Sequence, residues 1–438
     1  MATVDFSSPK HRGHTGAMSW LLLGFGAVGL VYAVNAVAPR RGHPLVLAWS
    51  FFSSWLTIEL VWHHVVFGAA ATALLVRAGA LHHPAGAAGA VLISITEVLL
   101  IRIGLTTGRT AAAMSRALAA LDPGSDAPPF PRWHVVFPFL LNHRRGIGRE
   151  RHVEYARVGG KRLRLDVTVP SVPVPAGQPR RPALMEVHGG GWVIGDKREQ
   201  GLPLLNHMAA QGWVGFNVNY RMSPGVAMPE HLIDLKRALV WIKEHADDYG
   251  IDPDFICVTG GSAGGHLAAM LGLTANDPRY QPGFVAADTT VTAAVPFYGI
   301  YDFTPGGSFG HDPQIYATFL EPIVMQAFLA DEPEAFRDAS PVHHLRADAP
   351  PFLVLHGDRD TLAPVQDART FVERLRAVSS QPVLYAELHG AQHAFDLFPS
   401  VRAAMVIEGV ERFLTTLWER RPSRPSAGDA ELADSTTG

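Results

Sequence analysis

The 438-residue chain has a single cysteine, Cys257, so no intramolecular disulfide can form and a disulfide-stapled fold is excluded. No cysteine lies near the N-terminus, so a lipoprotein anchor is not expected. There is no internal repeat and no long basic run, and the net charge is −3. A nucleic-acid partner normally leaves a basic footprint, so none is expected here. What the chain has in excess is apolar surface. Hydrophobic residues make up 47% of it, and its mean hydropathy is slightly positive. A length above 400 residues with that balance points to a soluble domain joined to membrane segments.

The apolar excess lies at the front. Met18 to Ala38 carries no charge, and Asn35 is its only strongly polar side chain. At about 1.5 Å per residue this run spans the ~30 Å hydrocarbon core of a bilayer. A cleaved signal peptide is the rival, with Lys10 and Arg12 before the run and Ala36-Val37-Ala38 as the cleavage site. The run exceeds the ~7–15 residues of a signal core, Pro39 would follow the cut, and further apolar stretches come after, so a retained helix is expected. Pro44 to Val76 is a second stretch and Gly86 to Leu105 a third, giving about three spans, with four as the alternative. Glu59 and His63 share a helix face within the second and are expected to snorkel or pair at an interface. An outside N-terminus places Arg40, Arg41, Arg109 and Arg116 inside, against Lys10, Arg12 and Arg77 for the reverse, so the C-terminal domain is expected on the cytoplasmic face.

The expected division is a transmembrane region over 1–110, a connecting segment over 111–148, a C-terminal α/β domain over 149–420 and a disordered tail over 421–438, rich in Ser, Pro, Asp and Thr. Pro131 to Leu141, rich in Phe, Trp and Val, is read either as resting on the bilayer surface or as packing on the C-terminal domain. From about residue 150, short β-rich runs begin: 153–158, 163–169, 183–187, 215–219, 255–259, 291–296, 352–356 and 383–388. Helical stretches over 230–248, 263–273, 364–378 and 400–419 separate many of them. After an opening hairpin at Gly159-Gly160, this alternation predicts an α/β fold: a mostly parallel eight-stranded sheet with helices on both faces.

The strongest chemical signal is Gly260-Gly261-Ser262-Ala263-Gly264, between the strand Phe255–Thr259 and a helical run. That strand–turn–helix context exposes a serine hydroxyl on a tight turn and aims a helix N-terminus at a reacting carbonyl. The second is His188-Gly189-Gly190-Gly191-Trp192, directly after a strand. Attack on an ester carbonyl creates an oxyanion, and glycines let backbone N–H groups converge on it with no side chain in the way. The amide of Ala263 supplies the other half of the hole. A phosphate-cradling loop is excluded because no Gly-Lys-Ser/Thr follows. The base and its orienting acid must come later in the chain. Asp360, in His356-Gly357-Asp358-Arg359-Asp360, is assigned as acid, with Asp358 as its rival. His393, in His389-Gly390-Ala391-Gln392-His393-Ala394-Phe395, is assigned as base, with His389 as its rival. Both sit after strand ends, where open α/β sheets place their sites.

Together these motifs resemble the hormone-sensitive-lipase-like group of α/β-hydrolases over about residues 150–420. Asn219 to Pro224 and Asp234 to Ala238 look like the segments joining oxyanion loop to elbow in that group. The resemblance implies carboxylesterase or lipase activity without a cofactor or metal. It implies Ser262, Asp360 and His393 as the triad, with Gly190, Gly191 and Ala263 donating to the oxyanion. Many members carry an acidic residue just before the nucleophile. Gly261 here looks more like a neighbouring set of acyl esterases that includes feruloyl-esterase-like and formamidase-like enzymes. The layout is similar to membrane-anchored actinobacterial esterases. The expected partners are a small hydrophobic acyl ester and the lipid bilayer. A serine amidase or peptidase using the same triad, and a non-catalytic binding module, are the competing readings. Tyr301 to Asp338 is expected to form a cap, with Phe303, Phe309, Phe319 and Phe328 as candidates for an acyl pocket.

Overall fold

The computed structural model describes residues 9–121, 128–140, 146–170, 180–307 and 313–421. The proposed tail from 422 and the candidate Phe309 lie outside them.

Eight strands form one sheet: β1 (Ile147–Val158), β2 (Lys161–Pro170), β3 (Arg181–Val187), β4 (Val214–Val218), β5 (Ile251–Gly261), β6 (Ala293–Phe297), β7 (Phe352–Gly357) and β8 (Val383–Leu388). Their spatial order is β1-β2-β4-β3-β5-β6-β7-β8. β1 and β2 are an antiparallel hairpin, turning through Gly159 and Gly160 at positive φ, and β2 meets β4 antiparallel. From β4 to β8 every pairing is parallel. The central strands β4, β6 and β7 are buried along their whole length and β3 at all but its first residue, because helices cover both faces. This is the α/β-hydrolase sheet. The expected helices appear at Glu230–Glu244, Ala263–Leu273, Val365–Val378 and Val401–Glu419. A further one, Leu202–Ala210, was not foreseen; with only nine residues and Pro203 in its first turn, it gives little periodic signal.

The front folds as helices α1 (Pro9–Val37), α2 (Pro44–Glu59), α3 (Val61–Arg77), α4 (Pro84–Thr107) and α5 (Arg109–Leu118). Two stretches, Gly16–Val37 and Pro84–Leu121, are long and apolar enough to cross a membrane. The second stretch read from the sequence is not one helix: α2 and α3 meet at Leu60 with a bend of 84°. It counts as a third span only if the bent pair is taken together.

α2 carries Ser50, Ser53, Ser54 and Glu59 on buried faces, and these groups find partners inside the protein instead of lipid. Asn35 of α1 donates to the Ser50 carbonyl (2.8 Å) and to Ser53 Oγ (2.8 Å), while Ser50 Oγ donates back to Asn35 Oδ1 (2.8 Å). Glu59 pairs with Arg402 of the last helix (3.0 Å), and both side chains are about 1% exposed. It therefore pairs at an interface, one of the two outcomes expected, and does not snorkel. Ser400 Oγ donates to the same carboxylate at 2.6 Å. The apolar layer is shared as well: Phe51, Met114 and Leu118 from the front pack in one cluster with Leu184, Cys257, Val295 and Leu353 from the sheet. Burying each such large side chain contributes about 1.5–3 kcal/mol. α5, at the end of the apolar stretch Pro84–Leu121, lies on the last helix, where a Cβ at Gly409 would meet Met114 at 2.3 Å.

Candidate active site

β5 ends at Gly261 and the helix Ala263–Leu273 begins immediately after, leaving Ser262 alone in the turn at φ 60°, ψ −121°. A non-glycine residue holds a positive φ only where the surroundings impose it. Ser262 N–H donates to the Phe297 carbonyl on β6 (3.0 Å). The glycines around it are sterically required: a Cβ at Gly264 would lie 1.9 Å from the Val187 carbonyl oxygen, and one at Gly260 would lie 2.4 Å from the same atom. At Gly261 a Cβ would lie 2.6 Å from the Tyr298 hydroxyl. Tyr298 thus gives a physical reason for the missing acidic residue before the serine.

The glycine loop after β3 packs directly on this turn, with a Cβ at Gly189 reaching the Gly261 carbonyl at 2.5 Å and Ser262 Cβ at 3.1 Å. Gly190 (φ 113°) and Gly191 (φ 60°) adopt left-handed conformations, and among the described residues their N–H groups donate to no backbone carbonyl. The N–H of Ala263, in the first turn of its helix, has no acceptor within that helix. The loop is pinned from behind. Gln200 Oε1 accepts from Gly189 N–H (2.7 Å), Tyr220 hydroxyl donates to the His188 carbonyl (3.0 Å), and Tyr220 stacks on the His188 ring (4.6 Å). Arg221 then grips Asp234 through Nε at 2.7 Å, which gives the Asn219–Pro224 segment its anchoring role. Trp192 is buried, and its indole N–H donates to His266 Nδ1 at 3.3 Å. Burial lowers the His266 imidazole to about 4, so it stays neutral and can accept that bond.

Asp360 and His393 meet at 2.6 Å, Oδ2 to Nδ1, and both are buried. Burial pushes the Asp360 carboxyl up, but the charge of His393 and hydrogen bonds from His356 and His393 outweigh it and hold the group well below the usual range. The N–H groups of Leu362 (2.9 Å) and Ala363 (2.7 Å) also donate to Asp360 Oδ1. The two rivals pair with each other: His389 Nδ1 lies 2.7 Å from Asp358 Oδ2, at the exposed end of the same strands. The triad candidates are not all joined. Among the described residues no hydrogen bond links Ser262 to His393. Tyr298 connects them sterically, its ring 4.5 Å from His393 and its hydroxyl against the Gly261 position.

Of the cap candidates, Phe319 faces the site, 3.2 Å from where a Cβ at Gly191 would be. Phe303 is fully buried against Trp192 and His266, and Phe328 is exposed, so neither lines this part of the site. Several residues around the site were not singled out from the sequence. Tyr298 donates its hydroxyl proton to Asp396. Burial pushes Asp396 up to about 6. Burial, with Asp396 nearby, raises Glu186 well above the carboxylate range. Gln392 sits between the Asp360 and His393 loops. Its position beside His393 was the one available signal.

Residues 165–375 match the family model BD-FAE. The chain is 51% identical over 249 residues to the probable carboxylic ester hydrolase LipM of Mycobacterium tuberculosis, covering 57% of each protein. It is 44% identical over 279 residues to esterase LipQ of the same organism, covering 64% of this chain and 65% of that one. For esterase LipC of that organism the figures are 45% over 241 residues, 55% and 59%. The chain therefore spans under two thirds of the length of these curated relatives. Among solved structures, the butyrate-bound esterase Est2 of Thermogutta terrifontis superposes with a TM-score of 0.53 at 26% identity, covering 64% of this chain and 97% of that one. The same esterase phosphonylated by sarin gives 0.55 at 27%, covering 63% and 97%. The family match and the sheet order agree over the same stretch of chain: residues 165–375 match the BD-FAE model, and the unit around them has the α/β-hydrolase fold and is similar to actinobacterial esterases.

Proposed function

We propose that this chain is a serine carboxylesterase that cleaves hydrophobic acyl esters through an acyl-Ser262 intermediate. The observation that carries the reading is the buried Asp360–His393 pair at 2.6 Å, set at the end of the sheet that also presents Ser262 on a strained turn. His393 takes the proton from Ser262 Oγ as that oxygen attacks the acyl carbonyl carbon. The carbonyl oxygen becomes an oxyanion, received by the N–H groups of Gly190, Gly191 and Ala263. Collapse expels the alcohol, which takes the proton from His393. Water, activated by the same imidazole, then releases the acid and restores Ser262. Asp360 keeps the His393 Nδ1–H pointed away from the serine and stabilises the imidazolium. Catalytic hydrogen bonds in hydrolases are often long without substrate and tighten in the complex, so the Ser262–His393 contact is the one expected to shorten on binding. The names of the relatives, all carboxylic ester hydrolases or esterases, support the same reaction class.

The chain is proposed to be a multi-pass membrane protein with its catalytic unit on the cytoplasmic face. The supports are the two apolar helices long enough to span and the arginine distribution around them. The division at about 110, 148 and 420 follows that reading. The exposed aromatics Trp133, Phe137 and Phe139 suit an interfacial resting place. A reporter fused at the C-terminus tests the orientation.

The activity is tested by hydrolysis of p-nitrophenyl esters of graded acyl length by the purified full chain, beside Ser262→Ala. Turnover that the substitution abolishes supports the reading, and the chain-length optimum defines the acyl pocket. A folded wild type inert on every length would sink the esterase assignment, and a panel of acyl amides would follow.

A further inference from the structure

The front helices do more than carry the catalytic unit: they hold its two triad loops. Gln392 lies wholly buried between these loops. Its Oε1 accepts from Thr361 N–H (2.7 Å) and Thr361 Oγ1 (3.2 Å), one residue after Asp360, and from His393 N–H itself (2.9 Å). Those backbone donors fix the amide orientation, because the reverse would set its NH2 against two N–H groups. The NH2 then points at α2, where Nε2 donates to Ser54 Oγ at 2.9 Å. Ser54 can accept because its own proton goes to the Ser50 carbonyl at 2.6 Å. Every donor in this relay faces an acceptor, and its far end is on a helix outside the hydrolase sheet.

Four more contacts reach the same loops from the front. Trp55 Nε1 donates to the Ala394 carbonyl (2.8 Å), Phe51 meets the His393 ring edge-on at 6.2 Å, Arg41 donates to the Asp360 carbonyl, and Arg359 donates to the Ala36 carbonyl (3.0 Å). Ala394 is held at φ 60°, a conformation that the Trp55 bond helps to fix. We infer that Ser54 and Gln392 are positioning residues for the triad, and that α2 is a working part of the esterase site. The inference rests on the triad assignment above. Ser54 touches no reacting atom; it sets the rotamer of Gln392, and Gln392 sets the separation of the Asp360 and His393 loops. In a low-dielectric interior a displaced acid–base pair loses the alignment that activates the serine.

The test uses the full chain in detergent with Ser54→Ala, Ser54→Thr, Trp55→Phe and Ser262→Ala. The readouts are kcat and KM on p-nitrophenyl butyrate, the pH profile of kcat/KM, and the rate at which a fluorophosphonate probe labels Ser262. Ser54→Ala is expected to lower kcat and the labelling rate together by roughly tenfold to a hundredfold, leaving KM little changed. The acidic limb of kcat/KM is expected to move to lower pH, because a looser Asp360 contact favours the imidazolium less. Ser54→Thr, which keeps the hydroxyl, is expected to restore both. Trp55→Phe, a milder change that keeps the ring packing, is expected to show a smaller loss of the same kind and serves if Ser54→Ala does not fold. A Ser54→Ala enzyme with wild-type labelling rate and pH profile overturns the inference. So do equal losses in Ala and Thr, which would mean helix packing alone, or an unaltered labelling rate in Trp55→Phe. Wild type that neither hydrolyses esters nor labels at Ser262 removes the triad assignment, and the positioning role with it.

Discussion

Two histidine–carboxylate pairs stand a few residues apart at the ends of β7 and β8. Asp360–His393 and Asp358–His389 have nearly the same Nδ1–Oδ2 separation, 2.6 and 2.7 Å. The inner pair is 0% and 5% exposed, with two backbone N–H groups on its carboxylate, His356 beside it and Phe51 and Tyr298 against its ring. The outer histidine is 45% exposed and the outer aspartate 22%. Contact distance alone does not distinguish them; their surroundings do. Water screens the outer pair to little energetic effect, while the dry surroundings of the inner one make its charge decisive.

Breaking the two pairs in parallel gives the largest expected contrast. Asp360→Asn, which frees His393 to adopt the wrong tautomer, is expected to reduce kcat by about 10⁴-fold, while Asp358→Asn leaves kcat within about twofold, a surface change of the sort that shifts little. Steady-state kinetics on one chromogenic ester reads both. A 10⁴-fold loss from Asp358→Asn instead would exchange the two assignments.

The next contrast concerns stability. Glu59→Gln leaves Arg402 buried without its counter-charge and is expected to destabilise the fold by about 3–5 kcal/mol. His389→Ala, at the exposed pair, is expected to cost no more than about 1 kcal/mol. Thermal unfolding of the detergent-solubilised chain separates these. Equal midpoints would mean that α2 is not clamped to the last helix through Glu59.

A smaller effect follows from pH. Asp360, held below the ordinary range, stabilises the fold above the unfolded carboxylate pKa, and this is lost as pH falls through its folded value. Asp396, raised to about 6, has the opposite sign: it favours the fold when protonated, and that contribution is lost as pH rises through about 6. Asp396→Asn should therefore gain in unfolding midpoint relative to wild type on going from about pH 5 to about pH 8. A constant difference across that interval would mean that Asp396 carries no such burden.

The sheet was legible in advance because alternating apolar runs and helical repeats are local, and every expected strand has its counterpart. The triad candidates were legible because the elbow, the glycine loop and the two late turns obey a fixed chain order. The front was read as an anchor because apolar periodicity reports only that a stretch is apolar, not what covers it. Ser50, Ser53 and Ser54 in an apolar run, followed by Glu59, were the signal of a helix with polar partners inside the protein. Ser50 and Ser53 find Asn35 nearby, but the partners of Ser54 and Glu59, namely Gln392, Ser400 and Arg402, lie more than 300 residues away, so no local rule could supply them. Tyr298 was hidden for a related reason: its contact with Gly261 crosses from β6 to the elbow and exists only after the strands pair.

The most direct test of the account is to trap the acyl-enzyme. The full chain is mixed with p-nitrophenyl butyrate, quenched in acid within the first turnover and digested for mass spectrometry. The account predicts a butyryl group on the peptide containing Ser262 and none in Ser262→Ala. Rapid turnover with that peptide unmodified, or the acyl group on another residue, would contradict it.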